Sequence, residues 1–147
     1  GSGPLYVAKQ SQERQKRLCN PDISWDEIEE LYKVGVTPED PAAESGFLKE
    51  YGLSKALLSC FTMLLAARNK NILAFCLSPG YIDTNLTKDW PGGKSPEEAT
   101  VSILHCLFEA TKESSGWFYG SDGKRSPLHF LRNPGEPIFD GSLPWDA

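Results

Sequence analysis

The chain is poor in the features that place a protein quickly. Its four cysteines, Cys19, Cys60, Cys76 and Cys106, form no CxxC or CxH pair, so no local zinc site is expected. Its two histidines, His105 and His129, have no cysteine or acid at catalytic spacing and are assigned no role. The only basic cluster is "RQKR" at Arg14 to Arg17, and the net charge is −5, which argues against nucleic acid as a partner. The plain reading of "RQKR" is a solvated helix face. No stretch approaches about 18 apolar residues and no signal peptide opens the chain, so no membrane span is expected. With that, "NLT" at Asn85 reads as a chance sequon. Three cysteines sit in apolar surroundings, where a free thiol behaves as a small hydrophobe, and a reduced, cytoplasmic protein is expected. The chain opens "GSGPLYV" without methionine, which suggests processing, a recombinant product or a piece of something longer.

What is present suits a folded α/β domain. At 147 residues, 39% of them hydrophobic, one domain with a core is the natural expectation. The region Leu5 to Leu18 fits either a helix or a solvated loop. "NPDISWDEIEELYKVG" carries a capping box, Ser24 with Glu27, then Ile28, Leu31 and Tyr32 at helical spacing and a stop at Gly35. "VTPEDPAAESG" reads as loop. A long helix follows from about Tyr51 to Arg68, its bulk supplied by Leu58, Met63, Leu64 and Leu65. Ile72 to Leu77 is a short apolar run of the kind found in fully buried parallel strands, ended by Pro79 and Gly80. "SPEEATVSILHCLFEATK" opens with Ser95, Pro96 and Glu98, a second capping box. "GWFYGSDGK" reads as an aromatic strand running into a turn at Asp122 and Gly123. The tail after Pro127 is expected to wrap the surface. Helix, strand, helix, strand is an α/β order with a mostly parallel sheet. Two strands are few for such a sheet, so further strands are expected, upstream of this chain.

The expected long helix carries Tyr51 and Lys55 in its first turn, four residues apart and so on one face. A phenol is a poor proton donor at neutral pH, and a nearby ammonium improves it by stabilising the phenolate. Such a pair suits protonation of a carbonyl oxygen while hydride arrives at the carbon. The same spacing also occurs where a tyrosine packs and a lysine is solvated.

"YGLSK", with Ser54 before Lys55, resembles the active-site segment of the short-chain dehydrogenase/reductase family. In that family the segment opens a helix followed by a buried strand. "SPGYIDT" is similar to the family's Pro-Gly motif, with Thr84 four residues after Gly80. "SPEEAT" and "GWFYGSDGK" are similar to its closing segments, and the resemblance covers roughly residues 45 to 125. It implies a Rossmann-like doubly wound parallel sheet of which only the carboxyl-terminal half is present. Tyr51 would be the acid in carbonyl reduction. Lys55 would tune it and hold the nicotinamide ribose. Pro79, Gly80, Ile82 and Thr84 would hold the carboxamide of the cofactor. The nearest likeness is to monomeric carbonyl reductases and related plant reductases, which carry a helical insertion before the tyrosine. Here residues 5–45 would be that insertion, 46–125 the catalytic part and 126–147 a tail.

The resemblance implies a monomer, NADPH as cofactor with NADH not excluded, and a small ketone, aldehyde or quinone as substrate. The chain has no glycine-rich turn for the pyrophosphate and no assignable residue for the adenosine ribose. Ser2 lies near the place of the family's catalytic serine without a firm match. A piece of a longer reductase, inactive alone, is the leading expectation. A truncated, non-catalytic binding or assembly module of the same fold is the alternative. Trp90 is a candidate to line a pocket for a flat substrate, or to pack locally.

Overall fold

The computed structural model describes residues 2–40, 47–87 and 91–146. Among these residues five α-helices and two strands follow in order: α1 (Ser2–Ala8), α2 (Gln12–Leu18), α3 (Trp25–Gly35), α4 (Phe47–Arg68), β1 (Cys76–Leu77), α5 (Val101–Phe108) and β2 (Phe118–Tyr119). Ser45 and Trp90 lie outside the described residues.

The first helices form because each has one apolar face, and α2 and α3 are capped at their starts. The Ser11 hydroxyl accepts from the Arg14 amide at the start of α2. The Ser24 hydroxyl accepts from the Glu27 amide at 3.2 Å, and the Ser24 amide donates back to Glu27 at 3.0 Å, which is the expected capping box. Tyr6, Val7, Leu18, Ile23 and Leu31 are each only 1% exposed and pack against Leu53, Ala56, Cys60 and Met63 of α4. Burying one such side chain contributes about 1.5–3 kcal/mol. α3 ends at the expected Gly35, which is also a packing residue: a Cβ there would lie 2.7 Å from the Leu53 methyls.

Two expectations for this region change. "RQKR" is not a wholly solvated face, because Arg14 is buried. Its guanidinium donates to Gln10 at 2.7 Å, to the Tyr6 hydroxyl at 3.1 Å and to the Leu31 carbonyl at 3.2 Å, and reaches Asp40 at 3.4 Å. Tyr6 also donates to Asp40. A buried cation persists only when paired in this way. Second, α4 starts at Phe47, so Tyr51 sits in its second turn rather than its first. Of the expected apolar bulk, Met63 and Leu64 are buried, whereas Leu58 is 48% exposed.

β1 and β2 pair in parallel, Cys76 with Phe118 and Leu77 with Tyr119. The ladder continues past both ends: Gly116 donates to Ala74, Cys76 to Trp117 and Ser78 to Tyr119. The connection between the strands holds the second capping box, Ser95 with Glu98, which starts as a 3-10 turn before α5. β2 ends in the expected turn, with Gly120 donating to Lys124 and Gly123 to Gly120. The strand at Ile72 to Leu77 is shorter than expected and is not fully buried. Ile72 and Leu73 are 58% and 47% exposed, because no further layer covers them among the described residues. The tail folds back through Arg132, whose guanidinium forks onto Asp122 at 2.8 and 3.1 Å.

Candidate active site

Tyr51, Lys55 and Ser59 stand four residues apart on α4 and share one face. Lys55 Nζ lies 5.1 Å from the centre of the Tyr51 ring, so the pair is a cation over a phenol rather than two unrelated surface groups. Tyr51 is 41% exposed and therefore open to a ligand. The Ser59 hydroxyl lies 3.4 Å from Cys76 Sγ. The chain thus leaves α4 at Arg68 and returns to Ser59 at Cys76, so β1 runs back along the helix. Pro79 follows about 10 Å further along the strand direction. Lys55 and Tyr51 lie about 6 and 12 Å back along the helix from Ser59. The tyrosine, the lysine and the Pro-Gly turn therefore share one end of the sheet, the carboxyl end of β1, where open α/β sheets bind ligands.

Close packing fixes this face. A Cβ on Gly3 would lie 3.2 Å from the backbone of Lys55 and Ala56, and one on Gly52 only 2.8 Å from Tyr6 Cβ. Only glycines let α1 settle this near to α4. The Ser2 carbonyl lies beside the same Gly52 position.

The Pro-Gly segment is tied down by its neighbours. Gly80 has φ +89°, in the left-handed region that favours glycine. Ile82 bridges Lys94, with Asp83 donating to the Lys94 carbonyl and Lys94 to the Tyr81 carbonyl. Thr84 is exposed; its amide donates to the Thr87 hydroxyl at 2.9 Å, and the two hydroxyls lie 3.0 Å apart. A cavity of about 370 Å³ opens beside the turn, lined by Pro4, Ser78, Gly80, Tyr81, Lys94 and Ser121 among others. Gly80 is thus the one expected site residue on its wall. Tyr51, Lys55, Pro79, Ile82 and Thr84 are not among the residues that line that cavity.

Lys94 and Ser121 escaped the sequence reading. Lys94 Nζ donates to Ser121 Oγ at 3.1 Å across the cavity mouth. A lysine after two loop glycines carries no periodicity, and only the fold sets it opposite Gly80. Arg132 also reaches the cavity, but its charge is met by Asp122. That hydrogen-bonded pairing holds the Asp122 carboxyl below its ordinary range and raises Arg132. No cluster of His, Cys, Asp or Glu suited to a metal occurs among the described residues. His105 packs its ring 4.8 Å from Tyr119 and pairs with Glu109, away from this turn.

A tyrosine and a lysine on one helix face, at the carboxyl end of a parallel α/β pair, define the general type of site. Comparisons with known proteins point the same way. The chain is similar to the short chain dehydrogenase gsfK of Penicillium aethiopicum, 33% identical over 89 residues, which is 52% of this chain and 36% of that protein. It is similar to the 1-hydroxy-2-glutathionyl-2-methyl-3-butene dehydrogenase of Rhodococcus sp. (strain AD45), 33% identical over 84 residues, 54% of this chain and 37% of that protein. The chain therefore spans little more than a third of the length of these curated relatives. The likeness to dehydrogenases extends over about half of the chain. No family model and no solved structure matches it.

Proposed function

We propose that this chain is the carboxyl-terminal part of a short-chain dehydrogenase/reductase that reduces a carbonyl compound with NADPH. The observation that carries the reading is the Lys55 ammonium 5.1 Å from the Tyr51 ring, at the carboxyl end of β1. The dehydrogenases that the chain resembles support it. The residues fit a nicotinamide ribose and carboxamide: Lys55 offers an ammonium donor, Thr84 a hydroxyl and Ile82 a backbone amide beside the tight turn at Pro79 and Gly80. A nicotinamide coenzyme, when bound, supplies the hydride. Tyr51 gives its hydroxyl proton to the substrate oxygen as the carbonyl double bond becomes a C–H and an O–H bond. Lys55 stabilises the phenolate left behind, and proton exchange with solvent restores it. The run backwards, with Tyr51 as base, oxidises an alcohol.

The exposed apolar side chains of Ile72, Leu107 and Phe108 support the view that further strands and helices complete the sheet in a longer protein. In this reading residues 5–45, which hold the end of α1 with α2 and α3, are the insertion, 46–125 the catalytic part and 126–147 the tail. The insertion helices cover one face of α4, which favours a monomer. The free thiols fit a reducing, cytoplasmic setting. In the intact protein, Tyr51→Phe should lower kcat for ketone reduction about 100- to 10,000-fold while the fold persists. Wild-type rates in that variant would remove Tyr51 from the chemistry. The same exposed apolar surface also favours the second reading, an assembly module. A stable oligomer of the chain that ignores NADPH would support that reading.

A further inference from the structure

A second cavity lies at the opposite end of α4 and takes no part in the reading above. It is walled by Met63 and Ala67 of the helix, by Trp117, and by Leu128 and Phe139 from the tail, and encloses about 370 Å³. Ala67 lies about 24 Å along α4 from Tyr51, at 1.5 Å per residue. The size falls within the range of small-ligand sites.

Its polar content is unusual for an apolar cleft. The Arg125 guanidinium lies over two aromatic rings, 3.8 Å from the Trp117 ring centre and 5.2 Å from that of Phe139. One Nη donates to the Asp140 carbonyl at 3.1 Å. Among the described residues no carboxylate comes within ion-pair distance of it. The Asp140 carboxylate accepts from the Ser142 amide and hydroxyl and acts on Arg125 only through its charge at longer range. The guanidinium has five N–H donors, and one of its Nη atoms makes the bond to the Asp140 carbonyl. Gly141 makes room for it: φ there is +102°, and a Cβ would lie 2.6 Å from Arg125 Nη1. Lys70 adds a second cation to the lining, against one carboxylate, Asp22. An aromatic and aliphatic wall with a guanidinium fixed at its edge, outside ion-pair distance of any carboxylate among the described residues, matches an amphipathic anion.

We propose that this cavity binds a small apolar carboxylate, of roughly naphthoate size, with its carboxyl group on the Arg125 fork and its apolar body against Trp117, Met63 and Leu128. The site is separate from Tyr51, and the Tyr51→Phe protein keeps it.

The test is titration of the intact protein with naphthoate and with the neutral isostere naphthalenemethanol. Binding is read by calorimetry and by the amide shifts of Gly116 and Gly141. Naphthoate should shift both amides and bind about tenfold more tightly than the alcohol, as a charge-assisted fork demands. Arg125→Gln should bring the two ligands to equal affinity. Ala67→Phe, which fills the cavity without touching the fork, should weaken both. Should Arg125→Gln fail to fold, the acid-to-alcohol ratio in the wild type still decides. Equal affinity for acid and alcohol in the wild type would overturn the proposal, as would unshifted Gly116 and Gly141 at millimolar naphthoate.

Discussion

The helical half of the molecule and the sheet half solve burial differently. Before Arg68, twelve buried side chains of the described residues, from Tyr6 to Leu64, form one cluster in which α1, α2 and α3 close over α4. After it, among the described residues, the buried apolar side chains are few, namely Ala99, Phe118, Tyr119 and Pro127, while Leu107 and Phe108 are 68% and 79% exposed. Helices find partners close in sequence, so a capped amphipathic segment can complete its own core. A parallel strand pairs with strands far along the chain and must be covered on both faces. The candidate site lies at the junction, with Tyr51 and Lys55 on the well-packed helix and the Pro-Gly turn on the open sheet. Precision at such a site is set by the looser partner.

The sharpest way to break that contrast is to attack the helical half at its buried charge. Asp40 is 2% exposed and receives hydrogen bonds from Tyr6, Gln10 and Arg14. Asp40→Ala strands the Arg14 guanidinium, whose Nε already has no partner. Loss of one member of a buried pair costs about 3–5 kcal/mol. Urea denaturation should show a fall of that size. Hydrogen exchange should quicken throughout α1–α4. A loss below ~1 kcal/mol would mean that water reaches Arg14 and that the helical half is less closed than its geometry shows.

How far the sequence revealed these halves follows from the same contrast. Both capping boxes, Ser24 with Glu27 and Ser95 with Glu98, were legible because a cap is a local contract between residues three apart. The turn after β2 was legible for the same reason. Arg14 was not: in "RQKR" it looks like any surface cation, and its acid, Asp40, lies 26 residues away. The burial of Ile72 and Leu73 was overread, since an apolar run reports what a strand needs rather than what covers it. At the site, the Tyr51–Lys55 pairing follows from helical spacing. Lys94 opposite Gly80 depends on a β-bridge between two loops and left no mark in the pattern.

A milder change tests whether the sheet half moves alone. At φ +89°, Gly80→Ala places a Cβ in the left-handed region and 3.1 Å from Ser121 Cβ. The conformation alone costs roughly 1–2 kcal/mol. Exchange of the Cys76 and Ser78 amides should quicken, while the amides of α3 keep their protection. Equal loss in α3 would show that the halves unfold as one unit and that the contrast in packing has no counterpart in stability.

The smallest expected effect is a pH step confined to the tail. The His129 ring packs edge-on against Phe130, Phe139 and Trp145, and its buried Nδ1 has no partner. Burial lowers its pKa from the ordinary 6.5, so the folded tail favours the neutral ring. The unfolded chain takes up a proton first as pH falls. Stability is therefore complete above about pH 6.5 and declines as pH drops from there toward the folded value. Asp122 works in a separate window: Arg132 depresses its pKa below 3.8, so its contribution persists above that value and is lost only as pH falls further. His129→Phe keeps the aromatic packing and removes the titration. Melting temperatures measured from pH 7 to 5 should slope downward in the wild type and be flatter in the variant, while the further fall that Asp122 causes below about pH 4 should be the same in both. An unchanged slope between pH 7 and 5 would place the titrating group outside the tail and leave the aromatic cluster indifferent to charge.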